Sequence, residues 1–316
     1  MRPQSWLQGL NPRDRDCDIV WCSERAKRQP ARTDYHRQQM KFGLNIINFG
    51  PTASADAIAS TVEWAESVGF HLAMLSDHVA VTPDVARRYP ERFYEPFTTI
   101  AWLAARTTRL HLGTTVVIVP YRHALLNARM SAQLAEFAGG RFILGVGVGW
   151  ARQEFQALGV PFDRRGALTD RFLADLPDGH PPIWVGGHSR AAIRRAARYA
   201  DAWHPLNVPL DWLAGEGLPL LRQLAGEAGR PVPTFAPRIR VSLQAEPLAE
   251  TDRRPGQGDL QQIRHDLSAL ADLGAEYVVL DTYRLDPREL DDPEAMLRPV
   301  RVLVDEVIDL AGETLR

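Results

Sequence analysis

The stretch RFILGVGVGWARQEF, Arg141 to Phe155, decides the fold. A short apolar run ends in three alternating glycines, Gly145, Gly147 and Gly149, and a tryptophan and a polar, helix-like segment follow. Glycines at the end of a buried strand let something approach the backbone closely, because no Cβ stands in the way. A dinucleotide fingerprint G-x-G-x-x-G fails here. Counted from Gly145, its third glycine falls on Trp150. That fingerprint also belongs to the first strand of its unit, with an acidic residue about 20 positions on. Three strand and helix pairs precede this run.

Working outward, the chain alternates strand and helix from residue 42. FGLNII (42–47), LAMLS (72–76), LHLGTTVVIV (110–119) and RFILGVG (141–147) read as strands one to four. Between them, Ile58, Val62, Ala65 and Val68 recur at helical spacing, with Ser54 as N-cap and Gly69 as stop. Phe97, Ile100, Ala101 and Ala104 mark the second helix. Leu126, Met130, Leu134 and Phe137 mark the apolar face of the third, stopped by Gly139 and Gly140. PIWVGG (182–187), DAWHP (201–205), RIRVSLQA (238–245) and EYVVLDT (276–282) continue the rhythm, with helices after Ser189, around Leu213–Leu224, over Leu260–Leu270 and over Leu297–Ile308. Eight continuous apolar runs, each followed by a helix, are the arithmetic of a (β/α)₈ barrel, an architecture of about 250 residues whose strands are buried on both faces. A doubly wound open sheet is the structural rival, and it rarely needs eight regular units.

Composition narrows the function classes. The 316 residues are 45% hydrophobic and 24% charged with a net charge of −2, which carries no nucleic-acid footprint. No apolar run approaches the ~20 residues that span a bilayer. The two cysteines, Cys17 and Cys22, give no disulfide framework, no histidines share metal-ligand spacing and no H-E-x-x-H occurs, so no metal is expected. Residues 1–39 are dense in charge with no apolar period. They read as an extension, disordered or reflecting a start assigned too early, ahead of a domain over 40–316.

These landmarks in this order resemble the bacterial luciferase-like superfamily, and more closely its branch that uses the deazaflavin coenzyme F420. The matching stretches are SDHV (76–79), LHLGTTVVIVPYRHALLNARMSAQL (110–134), GRFILGVGVGWARQEFQALGVPFDRRG (140–166) and HPPIWVGGHSRAAIRRAARYADAWHP (180–205). The likeness runs from residue 40 to the end and is strongest over 110–205. It implies an α/β fold of the TIM-barrel type, a cytoplasmic homodimer and an oxidoreductase moving a hydride between F420 and a small organic substrate. Members of the family carry a longer connection before strand five, where DRFLADLPDGHPP joins helix to strand directly. That link lies at the stability face of a barrel, away from the chemistry. The sequence also has ADAWHP where the family has GDGW, and the added methyl groups are expected to narrow the pocket at strand six.

The resemblance also implies a site at the C-terminal ends of the strands. His78 would face the substrate as catalytic proton donor or acceptor, with Asp77 touching the cofactor ring. A non-prolyl cis peptide would join Thr115 and Val116 behind the ring, Gly147, Val148 and Gly149 would lie against it, and Gln153 would give it a polar contact. Gly186, Gly187, His188 and Ser189 would hold the cofactor phosphate, and elementary electrostatics agrees, since a glycine turn feeding a helix N-terminus attracts anions. Trp150 stands where sugar-phosphate dehydrogenases of the branch carry a glutamate acid. It is read as an apolar wall of the substrate pocket, with Glu154 as the nearest carboxylate. Without the resemblance, the glycines mark only a tight turn, Ser189 only caps its helix, His78 is a surface or capping residue, and Glu154 is solvated. Two other functions share the fold: a monooxygenase using reduced FMN and oxygen, and a non-catalytic cofactor-binding paralogue.

Overall fold

Each of the eight apolar runs forms a strand in the computed structural model, which describes residues 39–316. The expected extension over 1–39 lies outside the described residues apart from Gln39. The strands are β1 (Lys41–Ile46), β2 (Leu72–Leu75), β3 (His111–Thr114), β4 (Phe142–Gly147), β5 (Ile183–Gly186), β6 (Ala202–His204), β7 (Arg238–Arg240) and β8 (Tyr277–Asp281). The principal helices are α1 (Ala55–Val68), α2 (Pro96–Ala104), α3 (Ala124–Phe137), α4 (Arg165–Ala174), α5 (Arg190–Tyr199), α6 (Leu218–Glu227), α7 (Leu260–Asp272) and α8 (Pro293–Glu306). All strand pairs of the main sheet are parallel, from β1 beside β2 (Gly43 opposite Leu72) round to β8 beside β1 (Tyr277 opposite Lys41).

The sheet closes through one stretch of chain. Thr234–Phe235 pairs with Ala202–Trp203 of β6, and β7, two residues further on, pairs with Val279–Asp281 of β8. The two ends of the strand order therefore belong to the segment 234–240, and the amide of Ala236 donates to Trp203 O across the seam. The ring of strands is a closed barrel, and the shortened link between α4 and β5 leaves it intact.

Helix ends follow the chemistry of the sequence. The Ser54 side chain accepts from the Ala57 amide at the start of α1, and Gly69 ends it with φ 101°, a left-handed conformation that side chains rarely adopt. The Ser189 hydroxyl accepts from the Ala192 amide and caps α5. Asp259 and Gln262 form a reciprocal capping box on α7. The main core lies between strands and helices. A second, smaller layer of Leu72, Met74, Ile143, Trp184, Ala202, Ala236 and Val279 fills the barrel interior. Among the described residues no helix is long and apolar enough to cross a membrane.

Three elements depart from the sequence reading. The run 110–119 is interrupted after Thr114, and Val117–Ile118 resumes pairing with Val146–Gly147 of β4. The run 238–245 leaves the barrel after Val241, whose amide makes the last bond to Asp281 O, and Ser242–Leu243 pairs with Gln257–Gly258 instead. In α3 only Leu134 of the four apolar markers is fully buried, and Leu126 and Phe137 are exposed. The buried face carries Asn127 and Ser131, because Asn127 Nδ2 must satisfy the carbonyl of Val119 in the turn below.

Candidate functional site

A cavity of about 320 Å³ opens at the C-terminal ends of the strands, the face at which barrels of this kind carry their chemistry. It is elongated. Ser76, His78 and Tyr89 border one end, and Ser189, Thr169 and Arg195 the other. Between them lies an apolar surface of Val116, Ile118, Val146 and Val185.

The glycines of β4 admit the kinked end of β3. The peptide between Thr115 and Val116 is cis, as the resemblance implied. A Cβ at Gly145 would lie 1.8 Å from Thr114 O, one at Gly147 2.5 Å from Val116 Cγ2, and one at Gly186 3.0 Å from Val116 Cγ1. What approaches this backbone is therefore strand three, and Val116 is pressed between β4 and β5 to become part of the cavity surface. Gly147, Val148 and Gly149 still border the cavity, as do Gly186 and Gly187. Gly149 and Gly187 have φ 77° and 94°, so these turns need glycine for their conformation as well.

Beneath this surface the barrel carries a polar layer. Arg238 donates through Nε and Nη2 to Asp281 Oδ2 and through Nη1 to both Thr115 O (2.8 Å) and its hydroxyl (3.0 Å). His204 Nδ1 lies 2.6 Å from the carbonyl of Ala236, which can only accept, so Nδ1 carries the proton. Nε2 of the neutral ring then accepts from the Thr115 hydroxyl at 2.9 Å. Burial pushes His204 down to about 4, which keeps it neutral. The cavity floor is thus fixed by a connected set of paired groups.

His78 stands at the other end of the cleft and is backed by a carboxylate. Its Nδ1 lies 2.6 Å from Glu154 Oε2, which also accepts from the Tyr121 hydroxyl at 2.7 Å. Glu154 Oε1 accepts from the amides of Val79 (2.6 Å) and Ala80 (3.0 Å). Burial raises the affinity of Glu154 for a proton, but the bonds from His78, the Ala80 amide and Tyr121 outweigh it and hold the carboxyl below its ordinary range. An ionised Glu154 accepts only, so His78 presents Nδ1–H to it and, as the neutral ring, carries its free lone pair on Nε2. Burial and Glu154 push the Tyr121 phenol far up, so it remains a donor.

Several expected roles change. Glu154 is neither solvated nor part of the cavity wall: it is fully buried behind His78. Asp77 borders the cavity, but its carboxylate is bound by Arg122 through Nη1 and Nη2 (both 2.8 Å) and by the Ile118 amide (2.9 Å), so it clamps the end of β3. Gln153 lies outside the cavity. Its Oε1 accepts from the Asp84 backbone amide and its backbone amide donates to Asp84 Oδ2, a latch on the segment after β2. His188 is exposed and packs edge-on near Trp212, away from the cavity. Trp150 lines the cavity, 5.7 Å edge-on from the His78 ring with Arg88 over its face. Ala202 is buried in the inner core layer and Ala200 in the outer one, so neither narrows the cavity.

Two arginines were missed. Arg195, 7% exposed, borders the far end, and Asp170 holds it through Nε and Nη2 while Nη1 has no partner among the described residues. The signal was an arginine on the buried face of α5, among Ala192, Ile193 and Ala196. For Arg238 it was the alternation Arg-Ile-Arg on a barrel strand, which turns both charges to one side.

The cleft fits a flat heteroaromatic cofactor with a phosphate-bearing tail. It offers one apolar side, the N-terminus of α5 at Ser189 with the Asp170-paired Arg195 further along that helix, and the His78–Glu154 pair.

Comparison with known proteins gives relatives of the chain and of its fold. The model of the luciferase-like monooxygenase family matches residues 35–176 and 171–254. An uncharacterised protein of Mycobacterium tuberculosis is 32% identical over 177 residues, covering 44% of this chain and 61% of the relative. The phthiodiolone/phenolphthiodiolone dimycocerosates ketoreductase of Mycobacterium kansasii is 29% identical over 219 residues, 57% of this chain and 60% of the relative. The chain therefore matches about three fifths of the length of these curated relatives. Among solved structures, an F420-dependent secondary alcohol dehydrogenase in complex with an F420-acetone adduct aligns with TM-score 0.64 at 15% identity, over 77% of this chain and 93% of that one. The FMN complex of the oxygenating constituent of 3,6-diketocamphane monooxygenase from Pseudomonas putida aligns with TM-score 0.66 at 17% identity, over 85% and 97%. Both share the fold.

Proposed function

The chain belongs to the luciferase-like monooxygenase family, and from that premise we propose that it is an oxidoreductase that binds coenzyme F420 and moves a hydride between it and a small organic substrate, within a domain over residues 40–316. The observation that carries this reading is the pair His78 and Glu154 at the edge of the cleft. Hydride transfer to or from a carbon–oxygen bond needs a proton at the oxygen, and a histidine held in one tautomer by a buried carboxylate is built to supply or take it.

Val116, Ile118, Val146 and Gly147 would lie along the cofactor ring, and Gly187, Ser189 and Arg195 would take its phosphate. When bound, the deazaflavin supplies or accepts the hydride. The protein does the rest. Glu154 keeps Nδ1 of His78 protonated and fixes the ring plane. A neutral His78 takes a proton at Nε2 when an alcohol is oxidised, and the protonated ring releases it when a carbonyl is reduced. Trp150 and Tyr89 shield the reacting atoms from water, which strengthens each of these interactions. The ketoreductase relative and the alcohol dehydrogenase neighbour, as named, support the same chemistry.

One observation favours FMN, and with it the oxygenase reading. Arg195, buried and with Nη1 left over by its pair with Asp170, binds a phosphomonoester dianion, as in FMN, more strongly than the phosphodiester monoanion of F420. Fluorescence titration of the protein with F420 and with FMN tests the two, followed by a panel of ketones and enoates with the reduced cofactor and by oxygen uptake. Tight F420 binding with carbonyl turnover supports the proposal. Binding of FMN alone with oxygen consumption overturns it, and binding without any turnover leaves a non-catalytic paralogue.

A further inference from the structure

Aromatic rings close the cavity around His78, and one of them carries a hydroxyl with nothing to bond. Tyr89 borders the cavity with its ring centroid 5.3 Å from His78, 6.4 Å from Trp150 and 5.9 Å from Tyr283. The phenol of Tyr121 donates to Glu154 and that of Tyr283 to the carbonyl of Arg88. The phenol of Tyr89 has no hydrogen-bond partner among the described residues, and it is not one of the polar atoms sealed from solvent. A tyrosine packed by its ring but free at its hydroxyl presents that hydroxyl to whatever fills the cavity. The charges that bear on it are Arg238 and Arg240 of β7, Asp281 of β8 and Arg88 of its own segment. Burial pushes the phenol up, so it stays protonated at neutral pH.

The geometry points to Tyr89 as a second substrate-facing group, whose phenol donates a hydrogen bond to the carbonyl or hydroxyl oxygen of a substrate that also meets His78 in the cavity. This rests on the oxidoreductase reading above and names its substrate class: a ketone, or the corresponding secondary alcohol, on an apolar body that packs against Trp150 and Leu206. In the reducing direction a bound reduced deazaflavin would supply the hydride to the carbonyl carbon, the π pair would move to oxygen, and oxygen would take the Nε2 proton of the His78 imidazolium, giving the alcohol, neutral His78 and the oxidised cofactor. Tyr89 keeps its own proton throughout and holds the oxygen while negative charge builds there, the role of an oxyanion-hole donor.

The test is Tyr89→Phe, which removes one oxygen that bonds to no protein group and keeps the ring packing. With reduced F420 and cyclohexanone, the variant should show kcat lower by about 10²-fold and KM within about threefold of wild type. A second readout is independent of turnover: the C=O stretch of ¹³C-labelled cyclohexanone bound to protein loaded with oxidised F420, which cannot reduce it. That band should move to higher frequency in the variant, because a hydrogen bond to the oxygen is gone. An unchanged kcat overturns the inference, and so does a lower kcat with an unmoved band, which marks a structural role. If wild type reduces the ketone and the variant matches it, only Tyr89 is lost. If wild type binds no F420, the functional reading falls first and this inference with it.

Discussion

Val116 stands so close to Gly147 that a Cβ on the glycine would lie 2.5 Å from Val116 Cγ2. The obstacle at Gly147 is the tip of a side chain. At Gly145 it is backbone, with Thr114 O 1.8 Å from the same hypothetical atom. The two glycines therefore answer to different constraints.

Gly147→Ala should destabilise the protein by about 1–3 kcal/mol through overpacking, and Val116→Ala in the same chain should recover most of that loss. Gly145→Ala should cost more, with no side-chain change able to relieve it. Urea unfolding of the single and double variants checks this. Strictly additive losses for positions 116 and 147 would show that their contact is not the constraint.

The barrel was legible because its evidence is repetitive. Eight apolar runs with capped helices between them survive an error in any one of them, such as the false continuation of strand seven past Val241. The site was legible only where local pattern met resemblance. His78, Ser189 and the cis bond at Thr115 fall in short stretches whose neighbours in sequence are neighbours in space. Glu154 was misjudged because its partners, Val79, Ala80, Tyr121 and His78, come from segments more than 30 residues away. Nothing in RQEF shows that a carboxylate there will meet four donors. Arg195 was passed over because an arginine in a helix rich in arginine looks solvated until the packing against α4 is seen.

His78→Ala should lower turnover by roughly 10²–10⁴, the span for loss of a general acid or base. Cofactor affinity should hardly change, since the histidine stands at the opposite end of the cleft from Ser189 and Arg195. Steady-state kinetics beside fluorescence titration measure both. A variant with wild-type turnover would remove His78 from the mechanism.

Glu154→Gln keeps the shape and loses the charge. Turnover should drop by roughly 10²-fold or more, as for other carboxylates that orient a histidine. ¹⁵N NMR gives a readout that needs no substrate. Neutral His78 should be the Nδ1–H tautomer in wild type and a mixture of tautomers in the variant. The same tautomer in both would mean that Glu154 does not set it.

Acid should weaken the fold through His204. Its folded value of about 4 lies below the ordinary histidine value near 6.5 because the ring is buried neutral. Between those two values the unfolded chain binds a proton that the folded chain refuses, so stability falls as pH drops from 6.5 and levels off below 4. The loss is about 3 kcal/mol for this group. His71, also held down to about 4 by burial, with His111 and Lys41 adding to it, acts in the same direction and window. Urea midpoints at pH 7, 5.5 and 4 follow it. A midpoint flat across that range would contradict the buried neutral ring.

Arg195→Gln should weaken binding of a phosphate-bearing cofactor at least tenfold while sparing the bare ring, riboflavin or its deaza analogue. Parallel titrations with the phosphorylated and unphosphorylated forms separate the two contributions. Equal losses for both would place the phosphate elsewhere.

Glu154 carries two loads on one side chain: Oε2 sets the histidine, and Oε1 tethers the amides of Val79 and Ala80 at the root of the segment that bears Tyr89. A single carboxylate thus ties the order of residues 79–80 to its own proton. Reciprocity then requires that whatever breaks the two amide bonds raises the proton affinity of the carboxylate, and that adding a proton to the carboxylate weakens its hold on those amides by the same free energy.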